Sequence, residues 1–275
     1  MPTPPAATHP SPNACPSIAL VIPTLREAGS LPALLTRITA ALNASCPDHE
    51  ILVVDDDSRD GTAELVAAIS QKDPRVRLLV RKGERGLSGA ILHGWQQTCA
   101  PILGVMDADL QHPPELLPAL IAAIENGSDI AIASRYAPGC PMSPDVGDMG
   151  HHYRANEAVW NPLRKLASVT AIALTNPLQR PSIRVADPMS GFFLVRRRCV
   201  QNVLFQPTGF KLLLEILVRG PIAKVSEIPF AFGRRTAGRS KANLKVAADY
   251  LRLLIRLYTG RTSHPPTLTQ ESSGD

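Results

Sequence analysis

Short apolar runs, each cut off by polar or turn-forming residues, recur along the first half of the chain. Ile18 to Ile22, Ile51 to Val54, Val76 to Val80, Ile102 to Met106 and Ile130 to Ala133 have the length and aliphatic content of buried strands. Between them the apolar positions recur at helical spacing, which predicts helices over about 31–42, 62–71 and 88–97, and another from Pro113-Pro114-Glu115 to Asn126-Gly127. Ser30 stands where it can cap the first helix, and Asp60 or Ser58 the second. Strand–helix alternation with short connections predicts an α/β fold, a Rossmann-like, mostly parallel sheet with helices on both faces. Further on, Ala186 to Phe193 reads as a turn into a strand and Leu212 to Val218 as a helix closed by Gly220. Val225 to Phe232 reads as a last strand, kept at the sheet edge by Pro229. Residues 137–158 read as a long loop, and Trp160 to Leu174 as an amphipathic helix.

The final helix, about Ala242 to Tyr258, has a single polar stripe of Lys241, Lys245, Asp249, Arg252 and Arg256, with nearly everything else apolar. Two readings fit that pattern: a helix lying in a membrane interface, or one packed against protein.

Polar chemistry collects where the strands stop. The fourth strand ends in Asp107-Ala108-Asp109-Leu110-Gln111, two carboxylates and an amide at every second position. Such an oxygen set suits Mg²⁺ or Mn²⁺, which accepts one or two carboxylates and leaves room for substrate phosphates. Glu27 follows the first strand and Asp56 the second. In a parallel sheet these ends share one edge, where ligands bind. Carboxylates gathered there call for a cation or a donor-rich ligand. Gly83, Gly86 and Gly89 form a glycine-rich loop after the third strand that does not fit the dinucleotide fingerprint. It reads equally as a tightly packed turn or as a phosphate contact.

Net charge is only +5, but from Arg196 to Arg261 fourteen Lys/Arg face three Asp/Glu. That basic part suits phosphates or an anionic surface. Its loop Arg234-Arg235-Thr236-Ala237-Gly238-Arg239-Ser240-Lys241 suits phosphate binding. Nucleic acid is disfavoured as a partner, because aromatics for stacking make up only 4% of the chain and a nucleic-acid role would leave the acidic strand ends unexplained. Five scattered cysteines in no metal-ligand spacing read as reduced thiols, and so as a cytoplasmic protein. No apolar run has the ~18–20 residues a spanning helix needs.

Six segments, in order and at matching distances, resemble the family-2 glycosyltransferases, and among them the dolichol-phosphate (polyprenol monophosphate) mannosyltransferase branch. They are Val21-Ile22-Pro23-Thr24, Val53 to Thr62, Met106 to Pro114, Ser134-Arg135-Tyr136, Asp187 to Phe192 and Gly238-Arg239-Ser240-Lys241. The likeness covers about residues 17–258. It implies a GT-A fold, GDP-mannose as donor, Mg²⁺ or Mn²⁺ as cofactor, and a polyprenyl or dolichyl phosphate acceptor. Carried over position by position, Pro23, Leu25, Glu27, Val54 and Asp56 fall in the guanosine site. Asp107, Ala108, Asp109 and Gln111 would hold metal and diphosphate, with Asp107, Asp109 and Gln111 the metal ligands. Arg135, Arg235 and Lys241 would hold phosphates, and Asp109, Arg235 and Lys241 would carry the chemistry. Arg164 and Ser168 fall where the family contacts the acceptor phosphate. Leu25 stands where many relatives have an aromatic.

The expected organisation is a tail over 1–16, a GT-A domain over 17–235 with a membrane-side helix at 159–176, a basic loop and amphipathic interface helix over 236–260, and a tail over 261–275. The expected location is the cytosolic face of a membrane, reached through the amphipathic helices or a small anchor subunit. A sister activity with UDP-glucose or another sugar nucleotide, and an inactive nucleotide-binding or membrane scaffold, stand as alternatives.

Overall fold

A computed structural model describes residues 15–83, 85–138, 171, 173–205, 211–230 and 244–260. Its strands are β1 (Ile18–Thr24), β2 (His49–Asp55), β3 (Val76–Val80), β4 (Ile102–Met106), β5 (Ile130–Ser134), β6 (Phe192–Arg196) and β7 (Val225–Pro229). Its helices are α1 (Leu31–Ser45), α2 (Thr62–Ser70), α3 (Leu87–Gln96), α4 (Leu117–Glu125), α5 (Leu212–Arg219) and α6 (Leu244–Thr259). The strands form one sheet in the order β3-β2-β1-β4-β6-β5-β7.

Period-two alternation along each strand sorts the core into two layers. Ile18, Leu20 and Ile22 of β1 pack with α1, α2 and α4 on one face. Ala19 and Val21 pack with α3 and α5 on the other. Burial on both faces explains why β1, β2, β4 and β5 read as apolar runs, whereas the edge strands β3 and β7 are only partly buried. Gly94 lets α3 lie close to the sheet, since a Cβ there would sit 2.8 Å from a methyl of Val21.

β6 is the exception to the parallel pattern. It runs antiparallel to β4 and to β5, with Gly104 opposite Leu194 and Ala131 opposite Leu194 on the far side. An antiparallel strand begins where its parallel neighbours end. The turn before β6, Asp187 to Gly191, is therefore delivered to the edge where β4 and β5 terminate. β7 closes the sheet beside β5, at the edge that Pro229 requires.

Two local expectations change. Ser30 makes no side-chain cap on α1, and its hydroxyl instead donates to Glu27 O at 3.1 Å. α2 is capped by neither candidate: its N-cap is Gly61, with left-handed backbone and no side-chain cap. Asp60, one residue earlier, accepts from Thr62 N at 3.1 Å, while Ser58 is drawn to Asp55.

The cysteine reading needs a larger correction. Cys15 and Cys99 form a disulfide that ties the segment before β1 to the one after α3. Spacing along the chain could not reveal this, because the partners lie 84 residues apart and meet only through the sheet. Cys46 and Cys199 are free thiols.

α6 packs Leu253, Leu254 and Leu257 against Leu178 and Leu214. Tyr258 donates to Leu174 O at 2.9 Å. The opposite side leaves Leu251, Ile255 and Tyr258 exposed, with Leu174 exposed beside them. The helix thus has a protein-facing side and a bare apolar side together.

Candidate functional site

Three loops at the carboxyl edge of the sheet hold one another in place. Pro23 and Val54 are register partners in β1 and β2. Beyond them Arg26 N donates to Ser58 Oγ at 2.8 Å, and Ala28 N to Asp60 Oδ2 at 3.3 Å. Asp55 is buried and spent locally, accepting from Thr24 Oγ1, Ser58 N and Ser58 Oγ. Among the described residues, those other than glycine with left-handed backbone are Arg26, Asp57, Arg59 and Leu110, all in the loops that follow β1, β2 and β4. Strain of this kind is sustained where surrounding contacts over-determine a functional loop.

Asp56 is buried, and both its oxygens are engaged. Arg81 Nε donates to Oδ1 at 2.7 Å and Gly86 N to Oδ2 at 2.8 Å. The glycine-rich loop wraps this ion pair: a Cβ at Gly89 would lie 2.6 Å from an Arg81 nitrogen. Leu25 and Glu27 flank the same edge, partly exposed. Arg81 was not among the residues singled out from sequence, since an arginine ending a strand gives no signal until its partner is known.

The second cluster forms where β4, β5 and β6 meet. Asp107 is half-buried, Ala108 and Asp109 are buried, and Gln111 N donates to Asp109 Oδ1 at 3.1 Å. Arg135, just past β5, makes a two-pronged ion pair with the fully buried Asp187, Nε to Oδ2 at 2.7 Å and a terminal nitrogen to Oδ1 at 2.8 Å. Burial opposes the Arg135 charge, but Asp187 more than offsets it and raises the guanidinium's pKa. Glu227 on β7 fixes the turn from behind, accepting from Ala186 N at 2.8 Å and Asp187 N at 3.2 Å. At the far end of that turn, a Cβ on Gly191 would sit 2.0 Å from Asp107 Oδ2. His112 packs edge-on against Phe192 and tilted against Phe230, with Nδ1 4.0 Å from Asp107 Oδ2. Burial, helped by the Arg135 and Lys211 charges, outweighs Asp109 and Asp187 and lowers its pKa to about 4, so the ring is neutral at pH 7.

Asp107, Asp109, Gln111 and Arg135 are thus brought to one corner. His112, Asp187, Gly191 and Lys211 join them, although the sequence reading gave them no site role. Arg164, Ser168, Arg235 and Lys241 lie outside the described residues. Among the described residues no three His, Cys, Asp or Glu side chains cluster as a metal site. The donors at this corner are two carboxylates and an amide, which is the hard-oxygen set a magnesium-like ion accepts. The space that Gly191 leaves beside Asp107 keeps that carboxylate in its place. The residues present therefore fit a divalent cation.

Comparison with known proteins agrees with this architecture. The model for glycosyl transferase family 2 matches residues 19–204. A protein of Pyrococcus furiosus named dolichol-phosphate mannosyltransferase is 43% identical over 87% of this chain. This chain spans 63% of that protein's length. Proteins of the same name from Mycosarcoma maydis and Saccharomyces cerevisiae are 34% and 35% identical, over 93% and 87% of this chain and 84% and 86% of theirs. Among solved structures, glucosyl-3-phosphoglycerate synthase of Mycobacterium tuberculosis, in complex with phosphoglyceric acid, superposes with a TM-score of 0.60. It is 19% identical, over 92% of this chain and 82% of that one, and so shares the fold. A complex of the same enzyme with Mn²⁺, UDP and phosphoglyceric acid gives 0.61 at 18% identity, over 92% and 80% of the two chains. The GT-A-like sheet, the acidic turn after β4 and the length of these matches lead to one assignment: the chain belongs to glycosyl transferase family 2.

Proposed function

We propose that this protein transfers mannose from GDP-mannose to the phosphate of a polyprenol such as dolichyl phosphate, at a membrane surface, with inversion at the sugar carbon. One observation carries the reading. The acidic turn after β4 lies beside two partly buried cations, Arg135 and Lys211, both of which feel the Asp107 charge, at the ligand-binding edge of a doubly wound sheet. Mixed charge of this kind suits a reaction in which one phosphate leaves and another attacks. The names of the three relatives supply the substrate class.

The acceptor phosphate is ionised at neutral pH, so a strong general base is unnecessary, and the neutral, buried His112 need not act as one. Arg135, held rigid by Asp187, can meet phosphate without reorganising. Asp107, Asp109 and Gln111 would hold Mg²⁺ or Mn²⁺, which when bound would offset negative charge on the departing diphosphate. Pro23, Val54 and the loops beyond them would receive the nucleoside. Arg235 and Lys241 would add charge for the phosphates, and Arg164 and Ser168 would contact the acceptor. Among the described residues no helix is long and apolar enough to cross a membrane. The bare face of α6, with Leu251 and Ile255 each more than half exposed and Arg252 and Arg256 beside them, supports contact with an anionic lipid surface.

The test is transfer itself. The protein is incubated with labelled GDP-mannose or UDP-glucose, a short polyprenyl phosphate and Mg²⁺ or Mn²⁺, and label is followed into the organic phase. Mannose label there is the expected result. Glucose label alone would replace the donor, and no transfer from either would end the proposal.

A further inference from the structure

Lys211 stands immediately before α5. Its ammonium is closely surrounded by protein, although the residue as a whole keeps some solvent exposure. Burying an ammonium is costly unless acceptors surround it. This one has three donors and, among the described residues, one hydrogen bond, to Met189 O at 3.4 Å, and no ion pair within 4.0 Å. An internal lysine kept for stability would be expected to sit on a carboxylate.

The surroundings explain what is missing. Met189 belongs to the turn whose Asp187 holds Arg135 and whose Gly191 abuts Asp107. Lys211 feels Asp107 and Asp187 as attractive charges and Arg135 as a repulsive one. Asp187 is already spent on Arg135 through both oxygens. Once a divalent cation takes Asp107 and Asp109, two neighbouring cations share one carboxylate. The start of α5 adds the positive end of a helix at the same point. A further anion would restore the balance.

We infer that Lys211 is a phosphate-binding residue of this site, its ammonium contacting a phosphoryl oxygen of either the nucleotide diphosphate or the polyprenyl monophosphate. The choice of those two phosphates rests on the proposed mannosyl transfer; the anion site itself does not.

The experiment compares wild type with Lys211→Met, which keeps the stem and removes the charge, and Lys211→Arg. Melting curves establish folding. Calorimetry with GDP and with inorganic pyrophosphate, each with and without Mn²⁺, reads the donor arm. The KM for a short polyprenyl monophosphate reads the acceptor arm. The expected result is a folded Lys211→Met that loses about tenfold or more in one arm, partly restored in Lys211→Arg. Loss of GDP affinity assigns the diphosphate; an unchanged GDP affinity with a raised acceptor KM assigns the monophosphate. A folded Lys211→Met with both arms unchanged overturns the inference. Should Lys211→Met fail to fold, amine-labelling mass spectrometry on the wild type decides, because protection of Lys211 by GDP or acceptor supports the site and absence of protection by both refutes it. If the wild type transfers no sugar yet loses pyrophosphate affinity on Lys211→Met, the mannosyl-transfer reading falls and Lys211 stands. Equal transfer by both proteins does the reverse.

Discussion

Gly191 leaves room for the carboxylate of Asp107. A Cβ built on this glycine would lie 2.0 Å from Oδ2 and 2.5 Å from the carboxyl carbon, far inside contact distance. The clashing group is the end of a short side chain, so Asp107 would swing away while the backbone stays. Gly191→Ala should therefore melt within a few degrees of wild type yet lose about tenfold or more in Mn²⁺-dependent GDP affinity, read by calorimetry. Unchanged affinity would show that Asp107 has no part in holding the cation.

The Arg135–Asp187 pair is predicted to dominate the stability of this corner. Asp187 is fully buried and accepts two guanidinium bonds as well as Arg135 N at 3.2 Å. Asp187→Ala strands a largely buried guanidinium and should cost about 3–5 kcal/mol in urea unfolding. Adding Arg135→Ala to it should cost less than the sum of the single changes, since the stranded charge is then gone. Additive costs would mean that the two residues act independently.

The sheet was legible because β1, β2, β4 and β5 are buried on both faces and so announce themselves as apolar runs, while the edge strand β3, only partly buried, still carries four aliphatic residues in five. The acidic turn after β4 was legible because its two carboxylates stand one residue apart at the end of an apolar run. What sequence hid is long-range. Nothing in Phe192 to Arg196 signals that β6 runs against its neighbours, yet that reversal delivers Asp187 and Gly191 to Arg135 and Asp107. Asp56 reads in the sequence as a strand-end carboxylate that calls for a cation or a donor-rich ligand, and only the fold shows Arg81 and Gly86 engaging its two oxygens. The Cys15–Cys99 bridge was hidden for the same reason.

His49 should make the protein sensitive to mild acid. It opens β2, is buried, and has Nδ1 2.8 Å from Cys46 O, while Nε2 is buried with no hydrogen-bond partner among the described residues. Burial holds its pKa below the ordinary 6.5, against a raising contribution from that carbonyl. As pH falls, the unfolded chain takes up the proton first. Stability is therefore full above about pH 6.5 and declines below it, until the folded form also protonates. Urea unfolding of the wild type between pH 7.5 and 5 should show this slope, and His49→Gln should flatten it. An equal slope in both proteins would assign the acid response to other groups.

The bare side of α6 is the place to look for membrane contact. Leu253, Leu254 and Leu257 already secure the helix to the protein, so the exposed side can be changed without loosening it. Leu251 is 56% and Ile255 55% exposed, one helical turn apart. Leaving each half-exposed forgoes roughly half of the 1.5–3 kcal/mol that full burial brings, which lipid would recover. Leu251→Asp with Ile255→Asp should leave the melting temperature and turnover of a short, soluble acceptor near wild type. The same pair should cut co-sedimentation with vesicles containing anionic lipid by about tenfold or more. High salt should weaken wild-type binding as well, through screening of Arg252 and Arg256. Unaltered co-sedimentation of the double variant would move the lipid contact off this helix.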